Sequence, residues 1–396
     1  MNRRRFVRWG CAQCALIQAS AVTRAAEVDP AFPLNGGSPP GGWTMPQRFV
    51  APDAGSDEGG LWALMAREEQ RLRRSPFLVR DSGLHEYLQG VACRLGGDHC
   101  PDMRLYAVRN AQFNANMAPN GMMQVWSGLL LRMDNEAQLA AVLAHEIGHF
   151  LQRHALERLR DAKSRSAAGV LLAPFGLVGL AGQLALIAGR YAYSRDQERD
   201  ADAISVRLMA AAGYDTRQAP LVWSNLLAEI AARPNADATA SSVLFATHPP
   251  SDERREALAK LATTGGDAGE APYRQQMSSW QYELLDDELK RGQFEETIAL
   301  LDRKIGLEPE RADLRYFRGE SRRLRAQGND LDRARAELIE TTQMSAPPPQ
   351  AWRSLGLVLR AGQDHAAAAE AFKRYLDLVP GAPDAGLITR YLSDPS

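Results

Sequence analysis

Asn135-Glu136-Ala137-Gln138-Leu139-Ala140-Ala141-Val142-Leu143-Ala144-His145-Glu146-Ile147-Gly148-His149 is the stretch on which the reading of this chain turns. Asn135 followed three residues later by Gln138 is a capping box that opens a helix. The apolar run behind it carries that helix into His145-Glu146-Ile147-Gly148-His149. Histidines at i and i+4 stand about 40° apart around a helix, so both imidazoles reach one metal ion. Glu146 adjoins the first histidine, where a general base has to sit. Zinc is the metal this pattern suits, one per chain, because it lowers the pKa of bound water from about 15.7 to about 7.

Two histidines on a half-buried helix face are also satisfied by local carbonyls, so a third ligand decides the matter. The extended HExxHxxGxxH pattern is excluded, because Gln152 and Ala155 stand where its glycine and third histidine belong. His154 is nearby, but on a continuous helix it falls about 140° from His149, on the wrong face. Downstream, Ser194-Arg195-Asp196-Gln197-Glu198-Arg199-Asp200-Ala201-Asp202 opens another helix. There Glu198 supplies a carboxylate ligand, and Asp202, one turn on, takes a histidine's free N–H. An acidic face paired with Arg195 and Arg199 is the plainer reading of the same run.

Composition narrows the classes. The 396 residues carry 47 basic and 48 acidic side chains, a formal net charge of -1, with 45% hydrophobic residues. Such a chain offers no field for nucleic acid and is neither disordered nor fibrous. At the N-terminus, Arg3, Arg4 and Arg5 precede a short apolar stretch, so residues 1–26 read as an export signal resembling the twin-arginine type. The destination is then periplasmic. Cys93 and Cys100, flanking Gly96-Gly97-Asp98, read as a local disulfide in an oxidising compartment.

Residues 27–60 are Pro/Gly-rich, a linker or strap; 61–265 form a mainly helical domain with a strand-like patch at Met122–Trp126. Beyond the Gly265–Gly269 boundary, residues 270–396 repeat. Gly292-Gln293, Gly328-Asn329 and Gly362-Gln363 recur 36 and 34 residues apart, each between helical stretches. Trp352, Leu355, Gly356, Ala368, Phe372 and Pro380 fit a tetratricopeptide repeat, an α-solenoid whose concave face takes peptides or partners. Ala167–Gly189 has no charged residue over 23 positions. A single crossing there would separate His145 and His149 from Glu198, so an apolar loop or helix pair at the cleft or on a membrane surface is expected instead.

His145-Glu146-Ile147-Gly148-His149 with the later Glu198 and Asp202 resembles the HtpX and CAAX-prenyl-protease family of zinc metallopeptidases. Asn114-Ala115-Asn116-Met117-Ala118-Pro119-Asn120-Gly121 is similar to the segment before that family's active-site edge strand, departing at Asn120, where glycine is common. Thr247-His248-Pro249-Pro250-Ser251-Asp252-Glu253-Arg254 resembles its downstream histidine-proline motif. With the repeats and the export signal, the chain resembles the BepA-like periplasmic branch. The resemblance implies a mainly α, zincin-like (gluzincin) domain with a small sheet, His145, His149 and Glu198 on zinc, and Glu146 as base. It implies that His248 is catalytic, near the metal as a fourth ligand in a latched state or as a transition-state contact. It also implies that Met122, Met123, Gln124, Val125 and Trp126 pair with extended substrate. The implied clients are unfolded or misassembled envelope proteins, with outer-membrane assembly machinery as a partner of the repeats. A non-catalytic periplasmic chaperone or scaffold with a structural zinc is the rival reading.

Overall fold

Local sequence sets the helix starts. Ser56 Oγ accepts the Gly59 amide at 3.0 Å, and Asp81 Oδ1 accepts that of Leu84 at 2.7 Å. Asn135 Oδ1 accepts the Gln138 amide at 2.9 Å, and Ser194 and Gln197 form a reciprocal capping box. Each cap satisfies amides that a helix start leaves open. The computed structural model describes residues 43–165, 193–234, 248 and 252–393. The expected export signal and the uncharged run 167–189 lie outside them.

The described elements begin with α1 (Asp57–Arg73), α2 (Ser82–Gly96), a 3₁₀ turn (Gly97–Asp102), β1 (Arg104–Val108), β2 (Ala115–Met117) and β3 (Met122–Trp126). Helices α3 (Ser127–Arg132), α4 (Glu136–Leu151), α5 (His154–Arg165), α6 (Arg195–Ala211), α7 (Gln218–Ala231) and α8 (Asp252–Leu261) follow. Helices α9 (Glu270–Met277), α10 (Gln281–Lys290), α11 (Phe294–Leu307), α12 (Ala312–Arg325), α13 (Asp330–Gln343), α14 (Pro349–Ala361), α15 (His365–Leu378) and α16 (Ala385–Ser393) complete the series. The chain is thus mainly α, with one small sheet and a repeat array of paired helices. Among the described residues no helix is long and apolar enough to cross a membrane.

The sheet runs β1-β3-β2, with β1 and β3 parallel and β2 and β3 antiparallel. This corrects one expectation. Met122, Met123, Gln124, Val125 and Trp126 form the central strand, and both of its hydrogen-bonding edges are taken by neighbours. They have no backbone groups left for an extended substrate. The edge is β2. Ala118 N–H donates to Met122 O at 2.7 Å and Trp126 N–H to Asn114 O at 3.0 Å, so the even-numbered residues face β3. The backbone groups of Ala115 and Met117 therefore point outward. The departure at Asn120 is absorbed locally: its Oδ1 accepts the Met122 amide at 3.3 Å, and Gly121 takes the turn at φ +83°.

Every residue of α4 is buried, with α2, β2, α6 and α7 packed around it. The Cys93–Cys100 disulfide ties the end of α2 to the 3₁₀ turn. Trp43, Met45 and Phe49 of the preceding strap pack on the core. The glycine-rich boundary segment is tightly held: Ala137 N–H donates to Ala268 O at 2.9 Å and Asp215 N–H to Asp267 O at 3.0 Å.

The repeats join the first domain through buried charge. Arg132, 4% exposed, binds Glu229 Oε2 at 2.7 Å and Glu288 Oε1 at 2.9 Å. Arg303 reaches Glu229 at 3.0 Å and also pairs with Asp134, while Lys304 Nζ donates to Met133 O at 3.1 Å. Partners left alone here would be unpaired buried charges, so α3, α7, α10 and α11 are held in one arrangement.

Candidate metal centre

Two helices and His248 build the centre. Helix α4 brings His145, Glu146 and His149, and α6 brings Glu198 and Asp202. The two helices approach at Gly148, where a Cβ would meet Ala201 Cα and O at 3.2 Å. The glycine of the His145–His149 stretch is therefore what lets the carboxylate helix come close.

His145, His149, Glu198 and His248 each place one potential ligand atom within 4.8 Å of the others, and all are buried. His145 Nε2 lies 3.1 Å from His149 Nε2 and 3.3 Å from His248 Nδ1. Glu198 lies 3.5 Å from Nε2 of both His145 and His149, and 2.9 Å from His248 Nδ1. Ligands about 2.0–2.1 Å from a tetrahedral ion are about 3.3–3.4 Å apart, so most of these separations suit zinc. The donor chemistry agrees. His145 Nδ1 lies 3.0 Å from Asp202 Oδ1; a carboxylate only accepts, so Nδ1 carries the hydrogen and Nε2 offers a lone pair inward. Lone pairs that converge in a buried space call for a cation.

Electrostatics follow this layout. Burial opposes charge on His145, but Asp202 and Glu198 outweigh it and push the imidazole up to about 9. Burial likewise opposes a charged Glu198, yet the three histidines hold its carboxyl well below the usual range. Burial pushes the Glu146 carboxyl up. Glu146 accepts the backbone N–H of Met117 on the edge strand, and its Oε1 is buried without a hydrogen-bond partner. His248 Nε2 stands 3.6 Å from that oxygen.

Sequence reading missed two residues. Arg254 on α8, 7% exposed, grips Asp202 with two bonds of 2.8 Å and Glu198 Oε2 at 2.6 Å, and lies over the Trp223 ring at 4.4 Å. It holds one oxygen of Glu198 and leaves Oε1 facing His149 and His248. Its linear signal is its place at the end of the histidine-proline motif, which gives it no role by itself. Tyr193 stacks on His149 with ring centres 3.8 Å apart and planes 19° apart. His154 is the third surprise: its Nδ1 is 2.8 Å from His149 Nδ1, although it is not among the converging ligands. The continuous helix that placed it on the wrong face does not exist, because Arg153 breaks it at φ 58°.

Residues 79–262 match the family model described as Peptidase family M48, and 320–383 match a tetratricopeptide repeat model. The chain is 30% identical over 232 residues to the beta-barrel assembly-enhancing protease of Yersinia pestis, covering 53% of this chain and 46% of that one. It is 30% identical over 173 residues to the putative beta-barrel assembly-enhancing protease of Vibrio cholerae, covering 40% and 36%. Against the mitochondrial metalloendopeptidase OMA1 of Arabidopsis thaliana it is 27% identical over 230 residues, covering 57% and 44%. The chain thus spans less than half the length of these curated relatives.

Proposed function

We propose that the chain, whose residues 79–262 match the Peptidase family M48 model, is a zinc-dependent endopeptidase with one zinc on His145, His149 and Glu198. The observation that carries this reading is the convergence of those donors beside the unpartnered Glu146 Oε1.

Zinc in this place supplies Lewis acidity, acidifying water and polarising a peptide carbonyl. The chain's own residues do the rest. Asp202 and Arg254 orient His145 and Glu198 from behind. Glu146 Oε1 takes the proton of the attacking water and returns it to the leaving amine. The outward backbone of Ala115 and the outward carbonyl of Met117 bind extended substrate by strand addition, which tolerates many sequences.

The wider role is part of the proposal. The Cys93–Cys100 disulfide and the arginine-rich start support a periplasmic protein exported through residues 1–26, by the twin-arginine route. The names of the bacterial relatives support unfolded or misassembled envelope proteins as clients. The repeats then recruit clients or outer-membrane assembly machinery, and the apolar run 167–189 supplies peripheral membrane contact.

The test is Glu146→Gln in the purified chain, assayed on an unfolded protein. Cleavage should fall by about 10²–10⁴-fold while zinc content and the melting curve stay unchanged. Undiminished cleavage would remove Glu146 from the mechanism.

A further inference from the structure

The two imidazoles of the proposed zinc site are supported differently from behind. His145 Nδ1 faces a carboxylate, Asp202 Oδ1, at 3.0 Å. His149 is backed by another imidazole, with Nδ1 of His154 only 2.8 Å from its own Nδ1. Both rings are buried, at 2% and 3% exposure, so water does not mediate this contact. Two ring nitrogens at that distance share one hydrogen: one donates and the other accepts.

The direction of that bond follows from the far side of the His149 ring. Its Nε2 turns toward His145 Nε2 at 3.1 Å and Glu198 Oε1 at 3.5 Å. To serve as a metal donor Nε2 needs its lone pair, so the hydrogen of the neutral ring sits on Nδ1. His154 Nδ1 is then the acceptor, and His154 carries its own hydrogen on Nε2. We infer that His154 is a positioning residue that fixes His149 as the Nδ1–H tautomer and so makes Nε2 the metal donor. The inference rests on the zinc reading above.

The backbone is shaped to deliver this contact. Helix α4 ends with Gln152 N–H on Gly148 O at 3.0 Å and Arg153 N–H on Phe150 O at 3.0 Å. Arg153 then enters the left-handed region at φ 58°, a conformation unfavourable for a non-glycine residue. Its side chain pairs with Glu58 and lies over the Phe49 ring at 5.1 Å, contacts that hold the turn. Helix α5 starts at the next residue, with the His154 ring 5.0 Å from that of His149. One turn further on, Arg158 lies over Tyr193 at 3.6 Å, while Tyr193 stacks on His149. The first turn of α5 thus fixes both the hydrogen bond and the plane of the His149 ring.

The experiment measures zinc affinity of the full chain by competition with a chromogenic chelator, for wild type, His154→Phe and His154→Asn. Phenylalanine keeps the ring volume and removes the acceptor; asparagine keeps an acceptor close to the place of Nδ1. His154→Phe should bind zinc about 10–100-fold more weakly, and His154→Asn should recover most of that loss. Unchanged affinity in His154→Phe, or an equal loss in both variants, overturns the inference. A wild type that binds no zinc overturns the metal reading itself, and does so before any substitution is compared. A second readout needs no variant: ¹⁵N–¹H correlation of the histidine rings in the zinc-loaded wild type. It should show His149 protonated at Nδ1 and His154 at Nε2, and the opposite assignment on either ring overturns the inference.

Discussion

His248 stands between the proposed zinc ligands and the proposed base. Its Nδ1 is 2.9 Å from Glu198 and 3.3 Å from His145 Nε2, while Nε2 is 3.6 Å from the proposed base. Catalytic zinc keeps one position open, whereas four protein donors close a site. The arrangement fits a latch, and His248→Ala should raise the basal rate of cleavage of an unfolded protein. If the latch is worth about 1.4 kcal/mol, the increase is about tenfold. A lower rate would instead assign His248 to transition-state support. At this scale the sequence was informative where the signal is local. His145 with His149, and Glu198 with Asp202, are both i,i+4 pairs whose shared face follows from helix geometry alone. Arg254 and His154 were not legible in that way. Arg254 acts across a helix packing, and His154 depends on a helix break at an arginine rather than at a glycine or proline.

Strand assignment shows the same division between local and distant information. Met122–Trp126 was legible as a strand, and it is one. Its place in the sheet was not, because pairing is decided by the partners that arrive on either side. Strand β2 has only three residues, too few for an alternating pattern to appear in the sequence. The topology leads to a prediction about substrates. An extended peptide cleaved by the chain should respond to N-methylation at alternate backbone positions. Methyl groups on the nitrogens facing Ala115 and Met117 should cost about 1 kcal/mol per lost bond, or about fivefold each in kcat/KM. Methyl groups on the intervening nitrogens should cost less. Equal sensitivity at all positions would argue against strand addition to β2.

At the scale of the whole molecule, the repeat period of 34 to 36 residues was readable from recurring glycine-containing turns. The junction between the repeats and the first domain was not. Arg132 finds Glu229 across 97 residues and Glu288 across 156, and Lys304 finds Met133 O across 171. No window along the sequence contains such pairs. The same separation holds for the centre itself, where α6 and His248 meet α4 only after the chain has folded. The proposed zinc site gathers residues that lie far apart in sequence. Zinc per chain, measured in purified wild type beside Glu198→Ala without chelators, tests it most directly. Wild type should carry close to one zinc and the variant clearly less, whereas equal, near-zero zinc in both would contradict the proposed site.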